Sequence, residues 1–250
     1  MKLTNRSRGL HAAVWTFVPA VLFGWNVASA QDSPGLLQVA QVQVKMGRTQ
    51  EFEDLQRQAA EAGRAAGRTG RGVWQEVRGG TGMYHIVETH DSFSAIANDD
   101  GPPMSPEDWA RWVSRITQTI SSRKLLNLRT YPDLSIPDNE DEENDMVVLR
   151  IRTVRPGMNN EYEEWIRENL SPALREGGED GVSWFRVVAG GNTNTWYSAT
   201  NHSDWSELDP PGVLSYMSER RRESMLEEGA AMTTGDWSTV VLQYRADLSY

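Results

Sequence analysis

The stretch "GVWQEVRGG" at 72–80 has a near copy in "VSWFRVVAGG" at 182–191, and this self-similarity limits the chain's folds more than any single motif does. Searching for an internal repeat comes before assigning elements, because a repeat dictates the architecture. Trp74 and Trp184 lie 110 residues apart. At the same offset Gly47 meets Gly157, Glu51 meets Glu161, Phe52 meets Tyr162, Glu53 meets Glu163, Gly67 meets Gly177 and Val77 meets Val187. Further on the offset grows to 112, where "THDSF" (89–93) meets "NHSDW" (201–205) and His90 meets His202. It reaches 114 where "PDLS" (132–135) meets "ADLS" (246–249). A slowly growing offset is what short insertions in the second copy produce.

Each copy reads alike. An alternating run, "VAQVQVKMG" or "MVVLRIRTVRPG", reads as a half-buried strand ending at glycine. The apolar phase slips by one between these runs, which predicts a bulge or a register difference. A helix follows. Phe52, Leu55, Ala59 and Ala62 or Ala66 share a face in the first copy, and Tyr162, Trp165, Ile166 and Leu170 do so in the second. Pro172 interrupts the second helix, so Ser171 is expected to cap a new short segment with Pro172 at its first position. Strands over 72–79 and 83–89, and over 182–189 and 195–201, are joined by glycine-rich turns. A second helix starts at the cap Ser105 with Pro106 behind it, and spaces Trp109, Trp112, Val113, Ile116 and Ile120 along one face. Its counterpart over 213–231 is less regular. Last strands, "RKLLNLRTY" and "STVVLQYRA", close the copies. The order β-α-β-β-α-β, twice, predicts an α+β fold of two antiparallel sheets, each with its helices on one face and its bare face turned to the other sheet.

The ends divide the chain. Residues 1–30 carry Lys2, Arg6 and Arg8, an apolar run from Ala12 to Phe23 and a closing Ala28-Ser29-Ala30. This is the pattern of a secretory signal, and cleavage before Gln31 is expected, with a mature N-terminus at Gln31 as its measurable sign. The apolar run is short of the ~20 residues a membrane span needs. The expected divisions are a first repeat over 31–135, an acidic linker over 136–145 and a second repeat over 146–250. Export implies a periplasmic or extracellular location. Without the three basic residues of the leader, 22 basic residues face 35 acidic ones, a net charge of −13. Such a balance argues against a nucleic-acid backbone or an anionic membrane as partner. The sequence has no cysteine, which excludes crosslinks, thiolate catalysis and zinc–thiolate sites.

With these elements placed, the pattern strand–"MG/PG"–"EFE/EYE" helix–"W..V...GG" hairpin resembles the dimeric α/β-barrel superfamily in a fused, two-copy form, over roughly residues 37–250. The resemblance implies two ferredoxin-like βαββαβ repeats whose sheets pack as a barrel within one chain. It implies a range of activities, among them antibiotic-biosynthesis and haem-degrading monooxygenases and chlorite-dismutase-like haem proteins. Monooxygenase members use an asparagine on the first strand, a tryptophan, and a histidine on or near the second helix. Here the first strands offer Val42-Gln43-Val44 and Leu149-Arg150-Ile151, and 105–122 and 213–231 hold no histidine. No catalytic residue is therefore carried over.

Candidate ligand-binding residues come from the aromatic and histidine positions: Trp74, Trp184 and Trp196 as an apolar lining, Arg78 or Arg186 as its polar contact, and His90 and His202 at repeat-equivalent strand ends. His85 reads as a half-buried strand residue. The expected function is binding of a small apolar or aromatic ligand. The alternative is a cofactor-free or haem-associated monooxygenase, haem being implied by resemblance alone and no metal site being expected. Assembly beyond the monomer would run through the outer helices.

Overall fold

The computed structural model describes residues 35–78, 82–97, 103–138, 145–209 and 212–250. The expected leader and residues 139–144 of the expected acidic linker lie outside the described residues. The elements run β1 (Leu36–Val44), α1 (Thr49–Ala65), β2 (Arg71–Arg78), β3 (Met83–His90), α2 (Phe93–Ala97), α3 (Pro106–Thr119) and β4 (Ile120–Thr130) in the first copy. The second has β5 (Met146–Val154), α4 (Asn159–Trp165), α5 (Ser171–Glu176), β6 (Val182–Ala189), β7 (Thr195–His202), α6 (Glu219–Ala231) and β8 (Thr233–Tyr244). All pairings are antiparallel, and the strands close into one barrel in the order β1-β3-β2-β8-β5-β7-β6-β4. The chain is thus an α+β fold in which two ferredoxin-like repeats form a dimeric α/β barrel. Two seams between copies, β2–β8 and β4–β6, do the closing. Closure leaves no sheet edge running the full height of the barrel, which protects strands that would otherwise pair with other chains.

Alternation along each strand divides the apolar residues between two faces. Leu37, Val39, Trp74, Leu126, Val147, Leu149, Phe185 and Leu242 fill the barrel interior. The outward faces carry two helix layers, one around Phe52, Leu55, Val73 and Tyr84, the other around Tyr162, Trp165, Trp184 and Trp196. In α1 the buried side is Phe52, Leu55, Gln56, Ala60 and Gly63, so the face turns away from Ala62 and Ala66. The α3 start is as its sequence indicates: the Ser105 side chain accepts from the Asp108 N–H at 3.2 Å and proline follows. The expected helix over 213–231 is a 3₁₀ turn, Val213–Tyr216, and then α6.

The copies are also bound by exchanged arms. After β4, residues 131–136 cross to β6: Tyr131 N–H donates to the Trp184 carbonyl (3.0 Å), Ile136 N–H to that of Val182 (2.8 Å), and Ser135 Oγ accepts from Trp184 N–H (3.2 Å). After β8, residues 245–250 repeat this on β2: Arg245 to Val73 (2.9 Å), Tyr250 to Arg71 (2.9 Å), and Ser249 Oγ from Val73 N–H (2.9 Å). Leu134 and Leu248, both 0% exposed, lie in the helix layer of the opposite copy. The surface pairs Arg167–Asp133 (2.6 Å) and Arg57–Asp247 (3.0 Å) also match. Exposed pairs of this kind are worth about 0–1 kcal/mol, so the leucines are the stronger anchors.

These equivalences correct the repeat alignment. Between β2 and β6 the offset is 111, because Val73 and Trp184 hold the same place in the two arms, as do Trp74 and Phe185 in the barrel. Trp74 and Trp184 are therefore not equivalent. Trp74 points into the barrel beside Tyr244, 4.9 Å between ring centroids, whereas Trp184 points out into the second helix layer. A one-residue slip on a strand moves a side chain to the other face. The extra residue lies in the helix. Gly47 and Gly157 (φ +75° and +89°) still match at 110, but the positive-φ glycine after the helix is Gly67 in one copy and Gly178 in the other. Between them a π-turn, Ile166–Leu170, joins α4 to α5. Such a wide turn holds one more residue than an α-turn, and it eases Pro172 past the carbonyls behind it. Ser171 does not cap a new helix, since Leu170 before it is helical and the Ser171 hydroxyl donates to the Leu134 carbonyl (2.7 Å).

Of the bulge or register difference expected between β1 and β5, the register difference is absent, while bulges interrupt the pairing of both strands, at Gln43/Val44 and at Arg152/Val154. Leu36 pairs with His90 and Met146 with His202, so the first strands match at 110. What differs is chemistry: Ala40 and Val42, facing the first helix layer, become Arg150 and Arg152.

Deleting either arm anchor tests the exchange. Leu134→Ala and Leu248→Ala should each lower stability by about 2–5 kcal/mol in urea unfolding, as expected for fully buried leucines. A loss below about 1 kcal/mol for both would show that the arms do not hold the copies together.

Candidate functional site

Each helix layer leaves a space against its sheet, and the two spaces differ. In the first copy the space is about 370 Å³. The chain's own groups hold its buried Arg71 and its Trp112 indole. Arg71 donates to Gln56 Oε1 (2.5 Å) and to the Leu248 carbonyl (3.0 Å), and pairs with Glu88 (3.5 Å). Trp112 Nε1–H donates to the Leu55 carbonyl (2.7 Å). Tyr250 at the end of the arm enters this layer: its ring lies against Gly63, where an added Cβ would come within 2.5 Å, and the Arg71 guanidinium sits 5.4 Å from the ring centre.

In the second copy the space is about 570 Å³. Its sheet floor carries Arg150, Arg152, Trp184, Ser198 and Thr200, and its helix side Tyr162, Trp165, Leu170 and Leu174. Here the polar groups are not satisfied. The Tyr162 hydroxyl, Trp165 Nε1 and Trp184 Nε1 are buried with no hydrogen-bond partner. A buried donor left unpaired costs about 1–3 kcal/mol, so three around one cavity call for an explanation. The π-turn is part of this wall through Leu170. Gly229 of α6 lies so close to the Trp165 ring that a Cβ would come within 2.5 Å, which fixes where that indole can sit.

The electrostatics are those of a small basic chamber in an acidic chain, whose net charge is −10. Among the charged residues of the lining, two arginines face one glutamate, Glu179. Burial holds the Arg150 guanidinium below its ordinary value, and burial pushes Glu179 up. Arg150 donates to Thr200 Oγ1 (2.8 Å), while Arg152 forms no ion pair among the described residues. Burial pushes the Tyr162 phenol up to about 12, so at neutral pH it presents an O–H donor. Trp237, 69% exposed, stands at the rim beside its strand partner Arg152.

Of the residues singled out from the sequence, Trp184 alone lines this cavity. Trp196 lies behind the wall, 5.6 Å from Tyr162 between ring centroids, with its indole N–H on Asn159 Oδ1 (2.9 Å). The Arg186 guanidinium rests over Trp196 and Tyr131, 5.5 and 5.8 Å from their centroids. Trp74 is in the barrel. Arg78 is exposed over Trp205, 5.6 Å from the ring centre. His90 and His202 hold equivalent places at strand ends. His202 Nδ1 meets Glu207 Oε2 at 3.1 Å, and the Nε2 atom of each is buried and unpartnered. His85 is more buried than expected, 3% exposed, and bonds Glu76 Oε1 at 2.9 Å.

Haem does not fit the cavity. Its lining holds no histidine, cysteine or methionine for an axial bond. Tyr162 would have to ligate as phenolate, the form its raised value opposes. Among the described residues, no group of three or more His, Asp or Glu residues could hold a metal ion, and no helix is long and apolar enough to cross a membrane.

No family model matches the sequence, and no curated protein does. Solved structures do. A putative monooxygenase from Lactobacillus acidophilus NCFM is similar with a TM-score of 0.58 at 11% identity, covering 85% of this chain and 94% of its own. A putative monooxygenase from Fusobacterium nucleatum gives 0.57 at 16%, covering 86% and 94%. An anthrone oxidase-like protein gives 0.56 at 12%, covering 86% and 92%. At these identities the likeness shows the shared fold.

The unpaired hydroxyl gives a direct test of the site. Tyr162→Phe should leave the stability of the ligand-free protein unchanged or raise it by about 1 kcal/mol, because it removes a buried group without a partner. A loss above about 1 kcal/mol in urea unfolding would show that the hydroxyl is satisfied.

Proposed function

We propose that the protein binds a small aromatic molecule in the cavity between sheet and helices of the second copy. The observation that carries this reading is the asymmetry between two equivalent spaces. One is narrowed by the chain's own Tyr250 to about 370 Å³, and its buried Arg71 is held by Gln56, Glu88 and the Leu248 carbonyl. The other is wider, walled by Tyr162, Trp165 and Trp184, and keeps three buried donors without partners. Its volume of about 570 Å³ lies in the range of small-molecule sites, about 300–1,000 Å³. Aromatic walls favour a flat aromatic guest by offset stacking and edge contacts.

A second reading adds chemistry to the binding. Three proteins of the same fold are described as putative monooxygenases or as anthrone oxidase-like, and an aromatic-walled cavity suits cofactor-free oxidation of an activated ring. In such a step a CH₂ group and O₂ give C=O and water, the substrate supplying all four electrons. Oxygen uptake with anthrone as probe separates the readings: uptake supports oxidation, and binding without uptake leaves a binding protein.

Filling the floor tests the site itself. In the first copy Ile86 holds the place of Ser198. With methyl 1-hydroxy-2-naphthoate as a neutral aromatic probe, saturable quenching of tryptophan fluorescence at one site per chain is expected. Ser198→Phe should weaken it more than tenfold with the fold retained, and Ile86→Phe should not. Equal effects of the two changes would contradict the assignment.

A further inference from the structure

Resting on the cavity reading above, we infer that the ligand is an anion, an aromatic acid whose carboxylate meets Arg150 and Arg152. The two arginines are the reason. On the same strand positions the first copy carries Ala40 and Val42, residues that pack under a helix at no electrostatic cost. Placing two guanidinium groups two residues apart on that face sets like charges beside each other, and burial penalises Arg150 further. Their sole acidic neighbour in the lining is Glu179. Glu179 also faces His202, whose ring lies on the same sheet face two residues beyond Thr200 and which is itself held by Glu207. One carboxylate shared in this way leaves the arginine pair undercompensated. Arg152 has no ion pair among the described residues and lies next to Trp237 at the rim. A second carboxylate, brought by the ligand, completes the balance. Arginine suits the task because its planar fork matches a carboxylate with two parallel hydrogen bonds.

The aromatic walls of Tyr162, Trp165 and Trp184 fit the ring of the same guest. The first copy's cavity is also lined by arginines, Arg68, Arg71 and Arg123 with Glu88, and differs in how its buried arginine is held. Its buried Arg71 is fully engaged by Gln56, Glu88 and the Leu248 carbonyl.

A matched pair of probes tests the charge. Isothermal titration at pH 7.5 compares 1-hydroxy-2-naphthoate with its methyl ester, which keeps the ring and hydroxyl but not the charge. The acid should bind the wild type at least tenfold more tightly. Arg152→Gln, and separately Arg150→Gln, should remove most of that preference while the ester's affinity stays within twofold. Equal affinity of acid and ester in the wild type, or an acid preference that survives both substitutions, overturns the anion inference and leaves the cavity reading standing. Binding of neither probe overturns both. The wild-type comparison decides the matter even if a variant fails to fold.

Discussion

Neither sheet of this protein is complete without the other. Each copy folds four strands with helices on one face, and its second face is a surface of Leu, Val and aromatic side chains that water cannot be allowed to reach. Closure into one eight-stranded barrel buries both surfaces against each other. The arms after β4 and β8 reinforce this, since each anchors a buried leucine in the helix layer of the opposite copy and hydrogen-bonds to its β2 or β6. Without any disulfide, hydrophobic burial and these two backbone seams carry the cohesion.

The duplicated frame then allows one copy to diverge. Since the barrel interior and both seams are common property, change is tolerated best on the outward helix layers. In the second copy a one-residue insertion is taken up as a π-turn, a feature frequently met at functional sites. Two apolar floor positions become arginines, leucine and phenylalanine of the first helix become Trp165 and Tyr162, and Ile86 becomes Ser198. In the first copy Gly63 makes room for Tyr250; the corresponding places in the second copy hold Leu174 and Ile136. Together these exchanges narrow one space with the chain's own Tyr250 and leave the other wider, in a wall that buries three donors without partners. An interior that keeps such groups forgoes stability, as functional sites commonly do.

The architecture was legible in the sequence because element order, apolar alternation and the strand–glycine–helix signature survive divergence. The site was less so. Matching Trp74 to Trp184 by letter assumed a constant offset, yet helices absorb an inserted residue without any mark in composition, and one residue is enough to reverse a face. The phase break in "VVLRIRTV" was visible and was the one local signal of the site. Its meaning, arginines on a buried face, depends on which side the helices cover, and pairing in three dimensions sets that. Tyr162 and Trp165 were recognised as a helix face but not as a wall, since only the burial of their polar atoms without partners distinguishes the two. His90 and His202 do hold equivalent strand-end positions, because there the offset of 112 follows the hairpin insertion.

The dependence of each copy on the other can be measured by cutting the chain between them. A protease site placed within residues 139–144, cleaved to completion in the folded protein, should yield two fragments that co-elute as one particle on size exclusion. That particle should keep the intact chain's near-ultraviolet circular dichroism, because the β2–β8 and β4–β6 seams and the exchanged arms remain. Fragments that separate under native conditions while each keeps a folded spectrum would show two independent units, contradicting a barrel built jointly by both copies.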